Sequence, residues 1–252
     1  MDPVTCTSVE LEDRRAAQES VSEFLRVIAA LAERRGPDSP ARAALVKGIW
    51  AIVPMKPLTV AKSRLAGVLS RRERRIFVEE TLLHVLRTVA EVVGRRRTVV
   101  VSRDRSVLSL ARELRLVALF EKGGNLNAAA REGAVYAMRR GARAALLVHG
   151  DLPRLDPHDL VEMIKAARKP PYAVAASDGT GSGTNALLVA PADAIHFRFG
   201  RRSLRRHQRE ATTRGLSWRI VHAPTLAFDV DWPHDYRDFE WRRKAIDFRV
   251  PV

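Results

Sequence analysis

The chain of 252 residues carries a formal net charge of +15 at pH 7 and has a sequence pI of about 11.1. Hydrophobic residues make up 46% of it, enough to bury the core of one α/β domain with an appendage. Cys6 is its single cysteine, which excludes an intramolecular disulfide and disfavours a cysteine-based metal site. No apolar run approaches the roughly 18 residues of a membrane-spanning helix, and the N-terminus lacks the order of a secretion signal. We therefore expect a cytoplasmic protein without a membrane partner.

The surplus of basic residues raises the question of nucleic-acid binding, because 44 Lys and Arg stand against 29 Asp and Glu. Short arginine runs lie on predicted helix faces, at Arg71–Arg75, Arg95–Arg97 and Arg201–Arg206. No zinc-finger spacing, RNP-type aromatic strand or glycine-bearing KH loop accompanies them. We interpret the runs as solvated surface and expect no specific nucleic-acid partner. A basic nucleic-acid-binding module is the alternative from another functional class.

Residues 1–47 differ in pattern from the rest of the chain. Their one amphipathic stretch, from Val21 to Arg35, has apolar residues at helical spacing. Gly36–Pro40 then breaks the pattern, which predicts a linker. We expect residues 1–47 to form an N-terminal helical extension and linker. The sequence leaves open whether the helix packs on the main domain or binds a partner.

From Ile49 onward, short apolar runs alternate with amphipathic stretches. The predicted strands are Ile49–Val53, Thr98–Val101, Leu116–Phe120, Ala144–Val148, Tyr172–Ala176, Asn185–Val189, Trp218–His222 and Leu226–Val230. The predicted helices are Glu73–Val93, Val107–Leu114, Asn127–Arg140, Pro157–Ala167 and Ser203–Thr213. This alternation predicts an α/β fold in which a single, mostly parallel sheet carries helices on both faces. The predicted domain spans residues 48–242 and is followed by a tail, residues 243–252.

Polar residues that follow the strands are the candidate site, because ligands of an open α/β sheet bind beyond the carboxyl ends of its strands. Three cations, Lys56, Lys62 and Arg64, follow the first strand within nine residues and could hold a triphosphate. Gly123–Asn127 follows the third strand as a flexible turn with an N-cap for the next helix. Asp178–Asn185 follows the fifth as a glycine-rich loop that could offer backbone N–H groups to an anion. Alternatively, that loop is only a solvent-exposed turn.

Three carboxylates are predicted at the same edge of the sheet. Asp151 follows the fourth strand, and Asp229 and Asp231 lie at the end of the last with the i, i+2 spacing that points both side chains the same way. Carboxylate oxygens are the ligands of hard divalent cations, so the three together predict a metal site. Taken singly, Asp151 could instead cap a helix, and the other two could be an unpaired acidic pair on the surface.

Several short segments, in this order, carry a resemblance to a known family. They are Val53–Pro57 with Ala61–Leu65, Gly124–Asn127, Asp151–Pro153, Gly181–Leu187, Phe199–Gly200 with Ser203 and His207, and Asp229–Asp231. The stretch from about Ile49 to Arg237 thereby resembles the guanylyltransferases of deazaflavin coenzyme (coenzyme F-420) biosynthesis. That family belongs to the wider group of molybdopterin-guanylyltransferase-like nucleotidyltransferases with a GT-A-like sheet.

The resemblance implies a Mg²⁺-dependent nucleotidyltransferase. Members similar to this chain transfer GMP from GTP to the phosphate of 2-phospholactate, phosphoenolpyruvate or 3-phosphoglycerate and release pyrophosphate. GTP and a small phosphorylated three-carbon acid are therefore the expected partners, and the sequence leaves a homodimer open. The alternative among enzymes is a related nucleotidyltransferase with another acceptor, such as a molybdopterin or sugar-phosphate derivative. Against it, the first loop lacks the glycine-rich signature of that group.

The resemblance also implies roles for particular residues. Metal ligation falls to Asp151, Asp229 and Asp231, and catalysis to Lys62 together with Asp151. The nucleotide-binding residues implied are Lys56, Lys62 and Asn127, and the acceptor-binding residues implied are Thr184, Gly200 and Ser203.

His149 and Gly150 depart from the family, which has a proline-rich lead into the motif that begins at Asp151. As a structural residue, His149 would be a histidine at a strand end with its hydrogen bonds satisfied. As a functional residue, it would hydrogen-bond a hydroxyl of the acceptor, which fits 3-phosphoglycerate or a similar hydroxylated acid better than phosphoenolpyruvate. The sequence leaves the identity of the acceptor open.

Overall fold

The computed structural model of the protein describes residues 40–58 and 62–247. The chain divides into two units, Met1–Ala43 and Ala44–Val252, and all of the described strands belong to the second. The predicted helix from Val21 to Arg35 lies outside the described residues, as does the end of the predicted tail. Among the described helices, none is long and apolar enough to cross a membrane.

Strands and helices alternate along the described chain. The strands are β1 (Ile49–Pro54), β2 (Thr98–Ser102), β3 (Val117–Phe120), β4 (Ala144–Val148), β5 (Tyr172–Ser177), β6 (Thr184–Ala190) and β7 (Ser217–Val221). The helices are α1 (Pro40–Leu45), α2 (Arg71–Val93), α3 (Arg105–Glu113), α4 (Leu126–Met138), α5 (Pro157–Lys165), α6 (Ser203–Thr213) and α7 (Pro233–Asp247). Short 3-10 helices lie at Ser63–Gly67 and Arg95–Arg97.

These strands form one sheet in the order β3-β2-β1-β4-β6-β5-β7. Neighbouring strands are parallel except for β6, which runs antiparallel to both β4 and β5. The predicted α/β fold with a mostly parallel sheet is confirmed. Because β6 is reversed, its first residue, Thr184, lies at the same edge of the sheet as the carboxyl end of β4.

Both faces of the sheet are covered, as its continuous apolar strands require. β1, β2 and β4 are buried along their whole length. Side chains of α2, α3 and α5 complete the core on one face, and those of α4 and α6 complete it on the other. Each Å² of buried apolar surface stabilises the folded state by about 25 cal/mol. Because both faces of the sheet contribute such surface, the core is stable and holds the strand ends in fixed positions.

Side-chain caps fix where several helices begin at the carboxyl edge. Asp104, Asn125 and Asp156 cap α3, α4 and α5, each by accepting a hydrogen bond from a backbone N–H of the first turn. The N-cap predicted within the turn Gly123–Asn127 is thus confirmed as Asn125. Each capped helix is the next helix after a strand, and its fixed start anchors the far end of the intervening loop.

The segment Leu226–Val230 is irregular, so the strand predicted there is wrong. Leu226 and Val230 are fully buried, and Asn185 Nδ2 donates a hydrogen bond of 3.0 Å to the Leu226 carbonyl. The apolar residues of this segment therefore reflect burial without pairing in the sheet. The sequence pattern also missed α7, which follows the segment and continues to Asp247, into the predicted tail.

Candidate active site

Lys62 lies at the carboxyl edge of the sheet, in the segment that follows β1. Its backbone is in the left-handed region, with φ 53° and ψ 36°, which costs a non-glycine residue on the order of 1 kcal/mol. Its side chain is 6% exposed, and its Nζ lies 2.8 Å from Asp151 Oδ2 and 2.8 Å from Asp231 Oδ1. The fold thus brings together three residues that are far apart in the sequence, and the two ion pairs stabilise the strained backbone.

These ion pairs determine the protonation of both partners. Burial alone would lower the pKa of Lys62, but the charges of Asp151 and Asp231 outweigh it and raise that pKa. Burial alone would raise the pKa of Asp151, but the attraction of Lys62 holds it at about 2. Lys62 is therefore a cation and Asp151 an anion throughout the physiological pH range.

Asp229 completes a set that we call the acidic cluster: Asp151, Asp229 and Asp231 around Lys62. Burial, followed by the negative charges of Asp151 and Asp231, raises the pKa of Asp229 to about 6. One buried lysine does not balance three carboxylates. Arg64 adds a guanidinium 3.7 Å from Asp231 Oδ2, but its side chain is exposed and its charge is screened by solvent. The cluster therefore holds excess negative charge at neutral pH.

The acidic cluster fits a divalent cation by the chemistry of its donors. Its carboxylates are hard oxygen ligands of the kind that Mg²⁺ prefers, and the raised pKa of Asp229 shows that a further positive charge would be favourable there. Within residues 40–58 and 62–247, however, no three His, Cys, Asp or Glu side chains are arranged as a metal centre. The cation that contacts both Asp151 and Asp231 is Lys62 Nζ. Metal ligation by the three aspartates stays a prediction.

Asp231 is positioned by the first turn of α7. The Asp235 carboxylate accepts hydrogen bonds from the backbone N–H groups of Asp231, at 3.0 Å, and Trp232, at 2.8 Å. The exposed indole of Trp232 in turn lies against the Arg64 guanidinium, 4.6 Å from the ring centroid. The sequence interpretation missed Asp235, although Pro233 followed by an acidic residue in the first turn is a recognised start signal for a helix.

A second group of polar side chains lies where β6 and α6 begin; we call Thr184, Ser203 and His207 the hydroxyl–imidazole chain. All three are buried. Thr184 Oγ1 lies 3.1 Å from His207 Nδ1 and 3.2 Å from Ser203 Oγ. Burial above all lowers the pKa of His207 to about 3, so its ring is neutral. Two of the three predicted acceptor-binding residues, Thr184 and Ser203, are therefore in direct contact.

Gly200, the third predicted acceptor-binding residue, lies in the turn before α6. Its φ of +113° belongs to the region that favours glycine, and a Cβ added there would meet no atom within 4 Å. The backbone conformation, and not a close neighbour, therefore requires glycine. The Ser203 N–H donates a 3.0 Å hydrogen bond to the Gly200 carbonyl, which closes the turn and sets Ser203 at the start of α6.

Asn127 ties this turn to α4. Its Oδ1 accepts a hydrogen bond of 2.6 Å from the Phe199 N–H, and its Nδ2 donates one of 3.2 Å to the Phe199 carbonyl. Both polar atoms of the Asn127 amide are thereby engaged beside Gly200, one of the predicted acceptor-binding residues. The nucleotide contact predicted for Asn127 stays a prediction, and the structure adds a positioning role that the sequence did not suggest.

His149 lies between the acidic cluster and the hydroxyl–imidazole chain. It precedes Asp151 by two residues. Its ring centroid lies 5.2 Å from that of Phe199, which lies 4.8 Å from that of His207. These aromatic contacts place the two polar groups side by side, at one edge of one sheet.

The ring of His149 is neutral and incompletely hydrogen-bonded. Burial lowers its pKa, as do the positive charges of Lys62 and Lys56, against the opposite effect of Asp151. The influence of Lys56, an exposed residue that follows β1, shows that its charge acts on this site. His149 Nε2 is buried and has no hydrogen-bond partner in the part of the chain that the structure describes. A fully satisfied structural histidine, one of the two interpretations of the sequence, is therefore not what the structure shows.

Loops after β1 and β2 are held together on the side predicted to bind the nucleotide. Asp104 caps α3 through one carboxylate oxygen, and its Oδ2 accepts a 2.9 Å hydrogen bond from the Leu58 N–H. In the next loop, Gly124 has a φ of +79°, and a Cβ on Gly123 would collide with Ala128 of α4. These features fix the conformation of the loops on the side predicted to bind the nucleotide.

The glycine-rich loop Asp178–Asn185 is a closed turn. Asp178 Oδ1 accepts a 2.9 Å hydrogen bond from the Ser182 N–H, and the Asp178 carbonyl accepts one of 3.1 Å from the Gly181 N–H. These donors are used inside the loop, beside a carboxylate that would repel an anion. The prediction that the loop offers its backbone N–H groups to an anion is therefore wrong for these two positions.

The fold of this sheet and its helices is shared with known nucleotidyltransferases. The solved structure of a nucleotidyl transferase from Methanothermobacter matches with a TM-score of 0.56, over 79% of this chain and 98% of that chain. Its sequence identity is only 14%, so that likeness concerns the fold alone. The protein therefore has the fold of a known nucleotidyltransferase.

Sequence comparison is more specific. Residues 49–240 match the family described as guanylyl transferase CofC-like. The phosphoenolpyruvate guanylyltransferase of Rubrobacter xylanophilus is 40% identical over 195 residues, which cover 76% of this chain and 93% of that protein. The 3-phospho-D-glycerate guanylyltransferase of Colwellia psychrerythraea is 28% identical over 184 residues, covering 73% of this chain and 87% of that protein. The chain belongs to the guanylyl transferase CofC-like family, which confirms the resemblance inferred from its motifs.

Proposed function

We propose that this enzyme transfers GMP from GTP to the phosphate of phosphoenolpyruvate, or of a closely related three-carbon acid, in the cytoplasmic biosynthesis of coenzyme F-420. The observation that carries the proposal is the placement of the acidic cluster beside the hydroxyl–imidazole chain, with His149 between them. The cluster suits a triphosphate with its metal, and the neutral chain suits a small acid. Family membership and the names of the relatives support the same reaction.

The reaction needs positioning more than it needs a base. An oxygen of the acceptor's phosphate forms a bond to the α-phosphorus of GTP, and the bond to the bridging oxygen breaks as pyrophosphate leaves. The attacking oxygen is already anionic, so no proton has to be removed from it. Catalysis then depends on in-line orientation and on positive charge near the phosphates. Lys62 supplies a buried charge that Asp151 and Asp231 keep protonated and oriented.

Mg²⁺ is the cofactor in this proposal, held by the carboxylates of the acidic cluster. When bound, it would neutralise charge on the phosphates of GTP and of the leaving pyrophosphate. The excess negative charge of the cluster supports this assignment. Turnover should therefore cease in EDTA and return when Mg²⁺ is added in excess. Equal rates with and without EDTA would contradict the assignment.

The acceptor can be tested directly because, of the three candidate acids, only 3-phosphoglycerate carries a free hydroxyl. The relative that is 40% identical is named for phosphoenolpyruvate, and we take that acid as the first candidate. The unpartnered Nε2 of His149 favours 3-phosphoglycerate as the second, because that acid carries a free hydroxyl. Incubation with GTP, Mg²⁺ and phosphoenolpyruvate, 3-phosphoglycerate or 2-phospholactate should release pyrophosphate, with the product identified by mass spectrometry. Absence of pyrophosphate with all three acids would refute the proposed function.

A variant of His149 separates the two candidates. His149→Phe keeps an aromatic ring against Phe199 and removes the unpartnered nitrogen. Proline, the family's residue type near this position, is unsuitable because the His149 N–H donates a 3.0 Å hydrogen bond to the Asn185 carbonyl. If His149 binds the hydroxyl of 3-phosphoglycerate, the variant should lose preference for that acid by about 1–3 kcal/mol in a competition assay. An unchanged product ratio would mean that His149 does not select the acceptor.

A further inference from the structure

Hydrogen-bond directions within the hydroxyl–imidazole chain can be assigned from one backbone contact. His207 Nε2 lies 2.8 Å from the backbone nitrogen of Arg198, which can only donate. Nε2 must therefore accept and carry no proton. Because the buried ring is neutral, its single proton lies on Nδ1. His207 Nδ1 consequently donates to Thr184 Oγ1 across the 3.1 Å contact.

The remaining protons can then be counted. Thr184 and Ser203 each have one hydroxyl proton, and the 3.2 Å contact between their oxygens uses one of the two. Thr184 cannot donate to His207, since the Nδ1 position already carries a proton. One hydroxyl proton is therefore left over, and within residues 40–58 and 62–247 neither hydroxyl has a second acceptor. A buried donor without an acceptor is unfavourable by about 1–3 kcal/mol, so this proton favours a ligand that accepts it.

The opposite tautomer would give a different site. If Nδ1 lacked its proton, Thr184 would donate to His207, Ser203 would donate to Thr184, and no hydroxyl proton would be left over. Whether the chain offers a donor thus depends on the tautomer of His207. The Arg198 N–H sets that tautomer, and the adjacent Phe199 peptide is in turn held by both polar atoms of Asn127.

We propose that His207 is a positioning residue that directs a hydroxyl proton of the Thr184–Ser203 pair toward a carboxylate or phosphate oxygen of the acceptor acid. The inference rests on the proposed function and deepens it, because it explains how two buried hydroxyl groups recognise an anion. Fully ionised carboxylates and phosphates present only acceptors, so a site with one committed donor matches them and mismatches an ammonium group, which can only donate.

The tautomer can be measured without any substrate. Long-range ¹⁵N–¹H NMR correlations of the wild-type protein should show His207 as a neutral ring protonated at Nδ1. A ring protonated at Nε2 would overturn the inference, whatever the enzyme turns over. A ring protonated at Nδ1 in a protein that uses none of the three acids would instead refute the proposed function, and with it the claim that the proton serves an acceptor.

Two amide variants test the direction of the hydrogen bond. His207→Asn can place an N–H near the position of Nδ1 and keep the donor to Thr184, whereas His207→Gln can place its oxygen near Nε2 and keep only the contact with Arg198. We expect His207→Gln to raise the acceptor KM about tenfold, about 1.4 kcal/mol, and His207→Asn to raise it clearly less. The KM for GTP should stay within about twofold of wild type in both.

A purely structural role for His207 gives the other result. If His207 only holds the loop of Arg198 in place, His207→Gln should be the milder of the two changes, or the KM values for the acceptor and for GTP should rise together. Either pattern would overturn the proposal. His84→Gln is a matched control, because His84 is also a buried histidine, on α2, with its Nε2 2.9 Å from the Leu155 carbonyl. Thermal melts of all three variants show whether a change in KM reflects loss of the fold.

Discussion

Asp229 is the residue whose environment disfavours its own charge. Its pKa is raised to about 6 by burial and by the neighbouring Asp151 and Asp231. The folded state therefore holds a proton there at pH values where the unfolded chain has released it. That contribution to stability is fully present below pH 3.8 and is lost as the pH rises through about 6. At neutral pH without a metal ion, the charged carboxylate reduces the stability of the fold.

Asp229→Asn should consequently stabilise the metal-free protein while it impairs the enzyme. Two pKa units correspond to roughly 3 kcal/mol, and because Asp229 is partly exposed, solvent screening reduces the expected gain to about 1–2 kcal/mol at pH 7.5. The gain in melting temperature should be smaller at pH 5. Activity should fall by about 10²-fold or more, since the variant loses a predicted metal ligand.

Asp193→Asn is the control for that prediction, because Asp193 is an exposed carboxyl beyond the carboxyl end of the reversed strand β6, at the opposite edge of the sheet. It should change neither melting temperature nor rate. If Asp229→Asn kept full activity, the metal assignment would have to be abandoned. If it melted below wild type at pH 7.5, the like-charge explanation would be wrong.

The backbone conformation at Gly200, and not crowding by neighbouring atoms, restricts this position to glycine. Gly200→Ala introduces a Cβ that meets no atom within 4 Å but disfavours the φ of +113°. The turn should relax, and Ser203 should shift at the start of α6. We predict a rise in the acceptor KM of several-fold and a change in the GTP KM of less than twofold, measured by pyrophosphate release. Equal changes in both constants would contradict the assignment of this turn to the acceptor.

Two elements, β6 and α7, position side chains of the site at the carboxyl edge of the sheet. Reversal of β6 brings Thr184 to the carboxyl edge, beside the end of β4. The first turn of α7 holds Asp231 through the Asp235 carboxylate. The local pattern predicted β6 as a strand, at Asn185–Val189, but not its reversed direction. It missed α7, which follows a segment whose apolar residues resemble a strand.

Removing the Asp235 carboxylate from the first turn of α7 should disturb Asp231 from outside the acidic cluster. Asp235→Ala loses the hydrogen bonds from the Asp231 and Trp232 N–H groups. Side-chain hydrogen bonds of this kind typically stabilise the start of a helix by about 1 kcal/mol. We predict a lower melting temperature and a several-fold drop in kcat. Glu162→Ala, an acidic residue on the exposed face of α5 paired with Lys165, is the control. If the two variants lost the same fraction of kcat, the positioning role of Asp235 would be excluded.

At the scale of the whole molecule, the family match covers residues 49–240 and leaves the N-terminal residues outside it. The second unit, Ala44–Val252, contains the sheet, both cores and every predicted site residue. The aligned part of this chain covers 93% of the Rubrobacter xylanophilus relative. A core of this size can fold independently.

A truncated protein that begins at Ala44 should therefore fold and keep kcat/KM within about threefold of the full chain, since the predicted site lies wholly in that unit. Steady-state kinetics and a thermal melt of both proteins check this. Loss of activity with an unchanged melting temperature would show that residues 1–43 take part in the reaction. Loss of the cooperative melt would show that they are needed for folding.

The sequence by itself determined the fold class and which charged residues lie at the carboxyl edge of the sheet. Short apolar runs and helical periodicities are local signals, because burial on both faces of a sheet selects continuous apolar strands. The rule that ligands bind beyond the carboxyl ends of strands then led to Lys62, Asp151 and the pair Asp229 and Asp231 before any contact was known. Motif order identified the family, and the comparisons confirmed it.

Only the tertiary structure decided which of these groups are in contact and which protonation state each of them has. The ion pair between Lys62 and Asp231 joins residues 169 positions apart, and no local pattern encodes such a contact. The raised pKa of Asp229 and the tautomer of His207 depend on burial and on neighbours supplied by other elements. The orientation of β6 likewise follows from packing of the whole sheet. Local sequence sets propensity and periodicity, whereas these features arise from long-range contacts that exist only once the core has formed.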